Sequence, residues 1–177
     1  MFTEAQVRVL RKDLAPSRVM HTQGQSYLAA WDVRAHLTRI FGYGGWDYQV
    51  LALTEVETRM TGSIGGKGDD RPRWSSVYRC TGRLTIRDPE GGYGAVIYED
   101  ASVGDSTNQV SPGDAHDLAL KSAVSGALKR CAVNLGSQFG LSLYAGGSTR
   151  DVVRVLVTDD TPMDGPEVLH DDEEVMT

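Results

Sequence analysis

Lys121, Ser125 and Lys129 stand four residues apart, with Arg130 directly after the last of them. On a helix this spacing places the first three on one stripe and Arg130 about 100° further round. Ser122 and Ser125 are small, so a phosphodiester backbone could come close to the cations. A cationic, uncluttered helix face suits contacts to phosphate oxygens; a solvated helix face is the plainer alternative. A second basic group is Arg71, Arg73, Arg79, Arg83 and Arg87. On one strand without a bulge, Arg73, Arg79, Arg83 and Arg87 share a face. Such a face cannot be a core. It is either a polar outer surface or one wall of an anion-binding groove.

Catalytic chemistry has weaker support. The sequence has no GxxxxGK[ST] phosphate loop, and Gly62-Ser63-Ile64-Gly65-Gly66 does not meet the nucleophile-elbow pattern. Glu99-Asp100 could serve a metal-dependent nuclease, but adjacent carboxylates on a strand point to opposite faces. Cys80 and Cys131 form no CxxC pair, and His21, His36, His116 and His170 are scattered. Buried free thiols are expected rather than a metal site. The residues therefore point to a binding protein, not an enzyme, with no cofactor and no metal.

The chain has 177 residues and a formal net charge of −6, which argues at first against an anionic partner. The distribution reverses this. Residues 151–177 hold nine Asp and Glu against Arg154 alone, and residues 1–150 hold 17 Lys and Arg against 15 Asp and Glu. The body is mildly basic and the end strongly acidic, and local patches decide binding. An acidic segment beside a basic groove could compete for it; a solvating tail is the simpler reading. No apolar run approaches the ~20 residues of a membrane span. The N-terminus lacks a signal-peptide pattern, so a cytoplasmic location is expected.

The elements that must carry these residues follow from periodicity. Thr3 caps a short helix to about Asp13, ended by Pro16. Arg18-Val-Met-His21 leads into a turn at Thr22-Gln-Gly-Gln25. A second helix spans about Ala29 to Ile40, with Trp31, Ala35, Leu37 and Ile40 on its apolar side. Gly42 caps it, and the aromatics of Phe41-Gly-Tyr-Gly-Gly-Trp46 are expected to pack the turn onto the core. Strands follow from Trp46 to about Glu55, Trp74 to Arg87 and Tyr93 to about Ser102. Residues 61–73 read as a flexible connection, Asp88-Pro-Glu-Gly-Gly92 as a hairpin turn and residues 103–113 as a polar loop. A long helix runs from about Asp114 to Gly136, burying Leu120, Val124, Ala127, Leu128, Cys131 and Leu135. Val152 to Val157 could form a short strand or dock on a neighbour, with disorder expected beyond Thr158. The layout is α+β: a three-stranded antiparallel meander packed by a long helix, a β-β-β-α core with N-terminal helices.

Four segments in this order carry a resemblance. They are Ser17-Arg18-Val19-Met20 with Ser26-Tyr27, then Phe41-Gly-Tyr-Gly-Gly-Trp46, then the meander ending at Tyr98-Glu99-Asp100, and last Ala123-Val-Ser-Gly-Ala-Leu-Lys129-Arg130 with Asn134-Leu-Gly136. Over about residues 3–144 the chain resembles the Rad-fifty-two family of single-strand annealing proteins, in particular its ring-forming N-terminal domain. The resemblance implies a homo-oligomeric ring that holds single-stranded DNA in a basic groove with the bases outward. It implies groove roles for Arg18, Lys121, Lys129 and Arg130, with Tyr27 beside them, and a second, outer DNA site at Arg73. Val133 stands where many relatives carry arginine, and Asp105 and Val110 at positions basic in others, implying a less charged groove.

On this reading residues 1–147 form a single-strand annealing domain and residues 148–177 an acidic, disordered tail. The expected activity is ATP-independent binding and annealing of complementary strands in homologous recombination and DNA repair. A protective single-stranded DNA-binding protein that does not anneal is the alternative. The expected partners are single-stranded DNA and further copies of the chain, with a recombinase or a single-strand-binding protein as a further candidate and no membrane. The expected setting is the cytoplasm of a bacterial or phage-infected cell, at the nucleoid when DNA is bound. The family's long C-terminal region for protein partners has no counterpart in this sequence.

Overall fold

The computed structural model describes residues 2–61, 71–88 and 95–153. Its elements are α1 (Glu4–Leu10), β1 (Val19–Thr22), β2 (Gln25–Leu28), α2 (Ala30–Phe41), β3 (Trp46–Thr61), β4 (Arg73–Arg87), β5 (Ala95–Gln109) and α3 (Pro112–Ala132). Single 3-10 turns follow at Val133–Leu135, Ser137–Phe139 and Leu141–Tyr144. The α+β class is as the periodicity predicts. Strands β3, β4 and β5 form an antiparallel sheet in sequence order, and β1 and β2 form a separate hairpin.

Local chemistry explains the element ends. Thr3 caps α1 in a full capping box with Gln6, satisfying two backbone N–H groups. The helix stops at Leu10, three residues short of the expected end. The β1–β2 turn places Gln23 and Gly24 at positive φ, which fits a tight hairpin. Gly42 ends α2 at φ 82°. Ser111 caps α3, accepting from the N–H of Asp114, and Pro112 occupies the first turn, where its missing N–H costs nothing.

The main core lies between α2, α3, the sheet and the C-terminal 3-10 turns. Leu14, Leu28, Val33, Leu37, Leu84, Ile86, Leu128, Cys131, Ala132, Leu135 and Phe139 are its buried members. Along β4 the residues at 80, 82, 84 and 86 are buried, whereas Arg79 and Arg87 are exposed. The inner face of the sheet thus meets α3, and the outer face carries the arginines. Cys80 and Cys131 are both buried free thiols.

Several expectations are corrected here. Residues 103–109 are strand, not loop: Ser106 pairs with Ser76, Asp105 with Val77 and Gly104 with Tyr78. These small residues lie where α3 comes closest. The buried stripe of α3 is Ala115, Ala119, Ala123 and Ala127, joined by Leu128, Cys131 and Ala132. A Cβ on Gly104 would collide with the backbone nitrogen of Ala123, and one on Gly126 would collide with the Ser102 hydroxyl. Small residues on both elements let helix and sheet meet closely, so Leu120 and Val124 are only partly buried. On α2 the buried side is Asp32, Val33, His36 and Leu37, while Ala35 faces out and Trp31 is 72% exposed. Of the turn aromatics, Phe41 packs on Phe2 at 5.5 Å between ring centroids. Trp46 Nε1 donates to Thr38 Oγ1. Tyr43, however, is 96% exposed.

The long helix ends at Ala132 and continues as 3-10 turns rather than to Gly136. The stretch after Gly147 returns to the body. Leu14 N–H donates to the Thr149 carbonyl, and Asp151 N–H donates to Asp13 Oδ1. Most of the 61–73 connection, the 88–92 turn beyond Asp88, and the acidic segment from residue 154 lie outside the described residues. Among the described residues, no helix is long and apolar enough to cross a membrane.

Candidate nucleic-acid interface

A groove of about 780 Å³ opens where β2, the C-terminal half of α3 and the Leu141–Tyr144 turn meet. Its polar side is lined by Tyr27, Ser102, Lys129, Arg130 and Tyr144. Leu28, Val33, Val133, Phe139 and Leu143 give it an apolar floor, and Gly126, Gly140, Gly146 and Gly147 keep it free of bulk.

The two cations differ in their settings. Lys129 is half-buried, with Nζ 5.4 Å from the centre of the Tyr27 ring. The ring face attracts the ammonium and fixes its direction. Burial nonetheless disfavours the charged form and lowers the Lys129 pKa below the usual lysine value. Arg130 is exposed, and its Nε donates to Asp100 Oδ1 at 2.9 Å. This hydrogen bond, followed by the carboxylate charge, raises the Arg130 pKa. Asp100 reaches α3 because even-numbered residues of β5 face the helix, as Tyr98, Ser102 and Gly104 also do.

Arg18 sits beneath this region rather than in the groove. Its Nη2 pairs with Asp32 Oδ2 at 2.8 Å, its Nε reaches both Asp32 oxygens at 3.1 Å, and its side chain is 12% exposed. Arg18 Nη1 also donates to Gln138 Oε1, and Gln138 Nε2 donates to the Lys12 and Asp13 carbonyls at 2.7 Å each. This network ties the residues before β1 to α2 and to the turn whose Phe139 floors the groove. His36 lies against the same turn, its ring 5.2 Å from that of Phe139. Arg39 Nη1 can only donate, so His36 Nδ1 accepts at 2.9 Å and the proton sits on Nε2.

The other two predicted cations stand apart. Lys121 is exposed and pairs with Asp117 at 2.6 Å, two turns before Lys129 and about 12 Å away along the axis. Arg73 opens β4, opposite Thr61, at the end of the sheet where Trp74 meets Gln109. Ser102 and Gln109 bracket roughly 23 Å of β5, so Arg73 is far from the groove. The structure therefore gathers Tyr27, Lys129 and Arg130, buries Arg18 below them, and leaves Lys121 and Arg73 outside.

Sequence reading missed three contributors. Asp100 could have been found from the alternation of β5, since it falls on the inward parity with Tyr98. The pairing of Gly126 with Ser102 leaves no signal until helix and strand are docked. Tyr144 is flanked by Leu143 and by Gly146-Gly147, a pattern that shows a turn but not which way its ring faces.

On the outer sheet face, Arg83 Nη2 pairs with Glu99 at 2.6 Å, and Arg87 Nη1 donates to the Gly44 and Trp46 carbonyls. Exposed Ile97 and Val103 lie among them. Glu99 and Asp100 thus serve opposite faces. Among the described residues, no group of three or more His, Cys, Asp or Glu is placed to hold a metal ion.

The profile of the Rad52/22 family double-strand break repair protein matches residues 5–161. Over 119 residues the chain is 31% identical to the DNA repair and recombination protein RAD52 of Candida glabrata, covering 67% of this chain and 21% of that protein. The figures for the DNA repair and recombination protein RAD52 of Saccharomyces cerevisiae are 31% over 119 residues, 67% and 22%. The chain belongs to the Rad52/22 family. It spans about a fifth of the length of these curated relatives.

Proposed function

We propose that this protein binds single-stranded DNA in the groove beside Lys129 and Arg130 and anneals it to a complementary strand without ATP, in recombination and repair. The observation that carries this reading is the convergence of Lys129, Arg130 and Tyr27 on one open groove kept clear by Gly126 and Ser102. The cations hold phosphates. Lys121 extends the basic stripe along α3, Arg18 positions the groove floor from below, and Arg73 offers a separate cation for a second DNA segment.

Binding is driven by counterion release, with a slope of about −0.7 in log affinity against log salt per phosphate neutralised. Phosphate contacts carry no sequence information, so none is read. Gripping the backbone orders one strand and leaves its Watson–Crick edges available, so no nucleotide hydrolysis is required. Assembly of several copies into a ring would line up such grooves, and avidity would turn weak single sites into a tight array. The family relation supports both DNA binding and oligomerisation.

Fluorescence anisotropy with a labelled oligonucleotide, titrated over salt concentration, tests the groove. Lys129→Ala and Arg130→Ala should each weaken binding and each make the salt slope shallower by roughly 0.7. Variants that keep wild-type affinity and slope would remove the groove from the account.

A further inference from the structure

We infer that Tyr144 is a base-stacking residue of the groove, taking the face of one base per protomer while Lys129 and Arg130 hold the adjoining phosphates. This inference rests on the groove being the single-stranded DNA site and assigns it a second mode of contact.

The placement of the ring carries the argument. Tyr144 lines the same groove as Arg130 and is 74% exposed. Its backbone is nevertheless fixed. Ser142 is fully buried and Leu143 packs against the core. Leu143 N–H donates to Gly140, Ala145 N–H to Ser142 and Gly147 N–H to Leu143. The αL Gly140 before this turn and the positive-φ Gly146 and Gly147 after it let the chain bend sharply into and out of it. An exposed aromatic presented from a braced turn is pre-organised, so little entropy is lost when a ligand covers it.

The rest of the groove shows what is missing without it. The Tyr27 ring already has the Lys129 ammonium over it, 5.4 Å from its centre. Among the described residues, Tyr144 has no ring partner and its hydroxyl makes no hydrogen bond. Trp31 and Tyr43 are also exposed, but neither lines the groove. Tyr144 is therefore the groove's open π-face, set beside its most exposed cation. Bases in single strands stack on such rings without regard to sequence. Stacking uses the flat face of a base and leaves its pairing edge free. The contact thus orients a base for pairing instead of hiding it.

The test compares a natural single strand with an abasic strand of the same length, which keeps the phosphates and removes the bases. Tyr144→Ala should lower affinity for the natural strand about tenfold and leave the abasic strand unchanged. Tyr144→Phe should bind both as wild type does. Circular dichroism melting of each variant controls for folding. Equal loss on both strands, or no loss on either, would overturn the stacking role. Lys129→Ala and Arg130→Ala, run alongside, should weaken both strands alike. If they weaken neither, the groove assignment fails, a result distinct from failure of Tyr144 alone.

Discussion

Each cation near the groove is held differently, and that decides what its mutation reads. Arg130 must leave Asp100 to meet a phosphate. The pair is partly exposed, with Arg130 open to solvent, so it adds only about 0–1 kcal/mol to stability. Asp100→Asn frees the guanidinium and removes a negative charge, so affinity for single-stranded DNA at low salt should rise severalfold with the melting temperature little changed. Weaker binding in that variant would mean that Asp100 orients Arg130 for DNA. Arg18 is the opposite case. Its buried pair with Asp32 leaves an uncompensated charge when broken, and Arg18→Ala should cost about 3–5 kcal/mol in chemical denaturation. Full stability in Arg18→Ala would deny it the bracing role. His36 gives the fold a pH dependence. Burial, then the charges of Arg18 and Arg39, lower its pKa from 6.5 to about 4. Between those values the unfolded chain binds a proton that the folded chain does not. Stability is therefore lost as the pH falls from 6.5 through about 4, by up to about 3 kcal/mol. His36→Gln should flatten that acid limb in denaturation curves at pH 7 and pH 4.5; an unchanged slope would put the titrating group elsewhere.

At the scale of elements, the close seating of α3 on β5 sets the spacing that brings Arg130 to Asp100 and opens the groove. Gly104→Val should force helix and strand apart and cost about 1–3 kcal/mol or more. Gly113→Ala, which meets only the Ser111 hydroxyl at 3.8 Å, should be neutral or slightly stabilising. Thermal melting of the two variants checks this, and equal midpoints would contradict the seating. The same contact explains what could be read from sequence. The long helix, its Lys129-Arg130 pair and the odd-numbered arginine face of β4 were legible, because each follows from a repeat within one element. The end of β5 was not. Gly104, Asp105 and Ser106 have the composition of a loop, and their pairing with β4 beneath the alanine stripe of α3 makes them strand. The resemblance implies a groove role for Arg18, and its partner Asp32 is not evident from sequence because it lies fourteen residues away on another element, at a position that helical periodicity does not mark as buried. Trp31 is exposed because the buried side of α2 runs through Asp32, Val33, His36 and Leu37.

For the whole molecule, charge is divided along the chain, and the hydrogen bonds made by Thr149, Asp151 and Val152 lead us to propose a domain boundary later than Gly147. Ser137 is fully buried, and its hydroxyl donates to Asp151 Oδ1 at 2.6 Å and accepts from the Val152 N–H. A chain ending at Gly147 leaves that hydroxyl unpaired and should melt lower than one ending at Val153, by about 1–3 kcal/mol. Equal stability of the two would place the boundary back at Gly147. The proposed activity acts on two strands at once. The most direct measurement is the annealing rate of two complementary labelled oligonucleotides, with and without protein, in buffer lacking ATP and magnesium. The expected rate is well above the spontaneous one and is lost in Arg130→Ala. Tight binding of each strand with annealing slowed would contradict it and make the protein a protective single-strand binder.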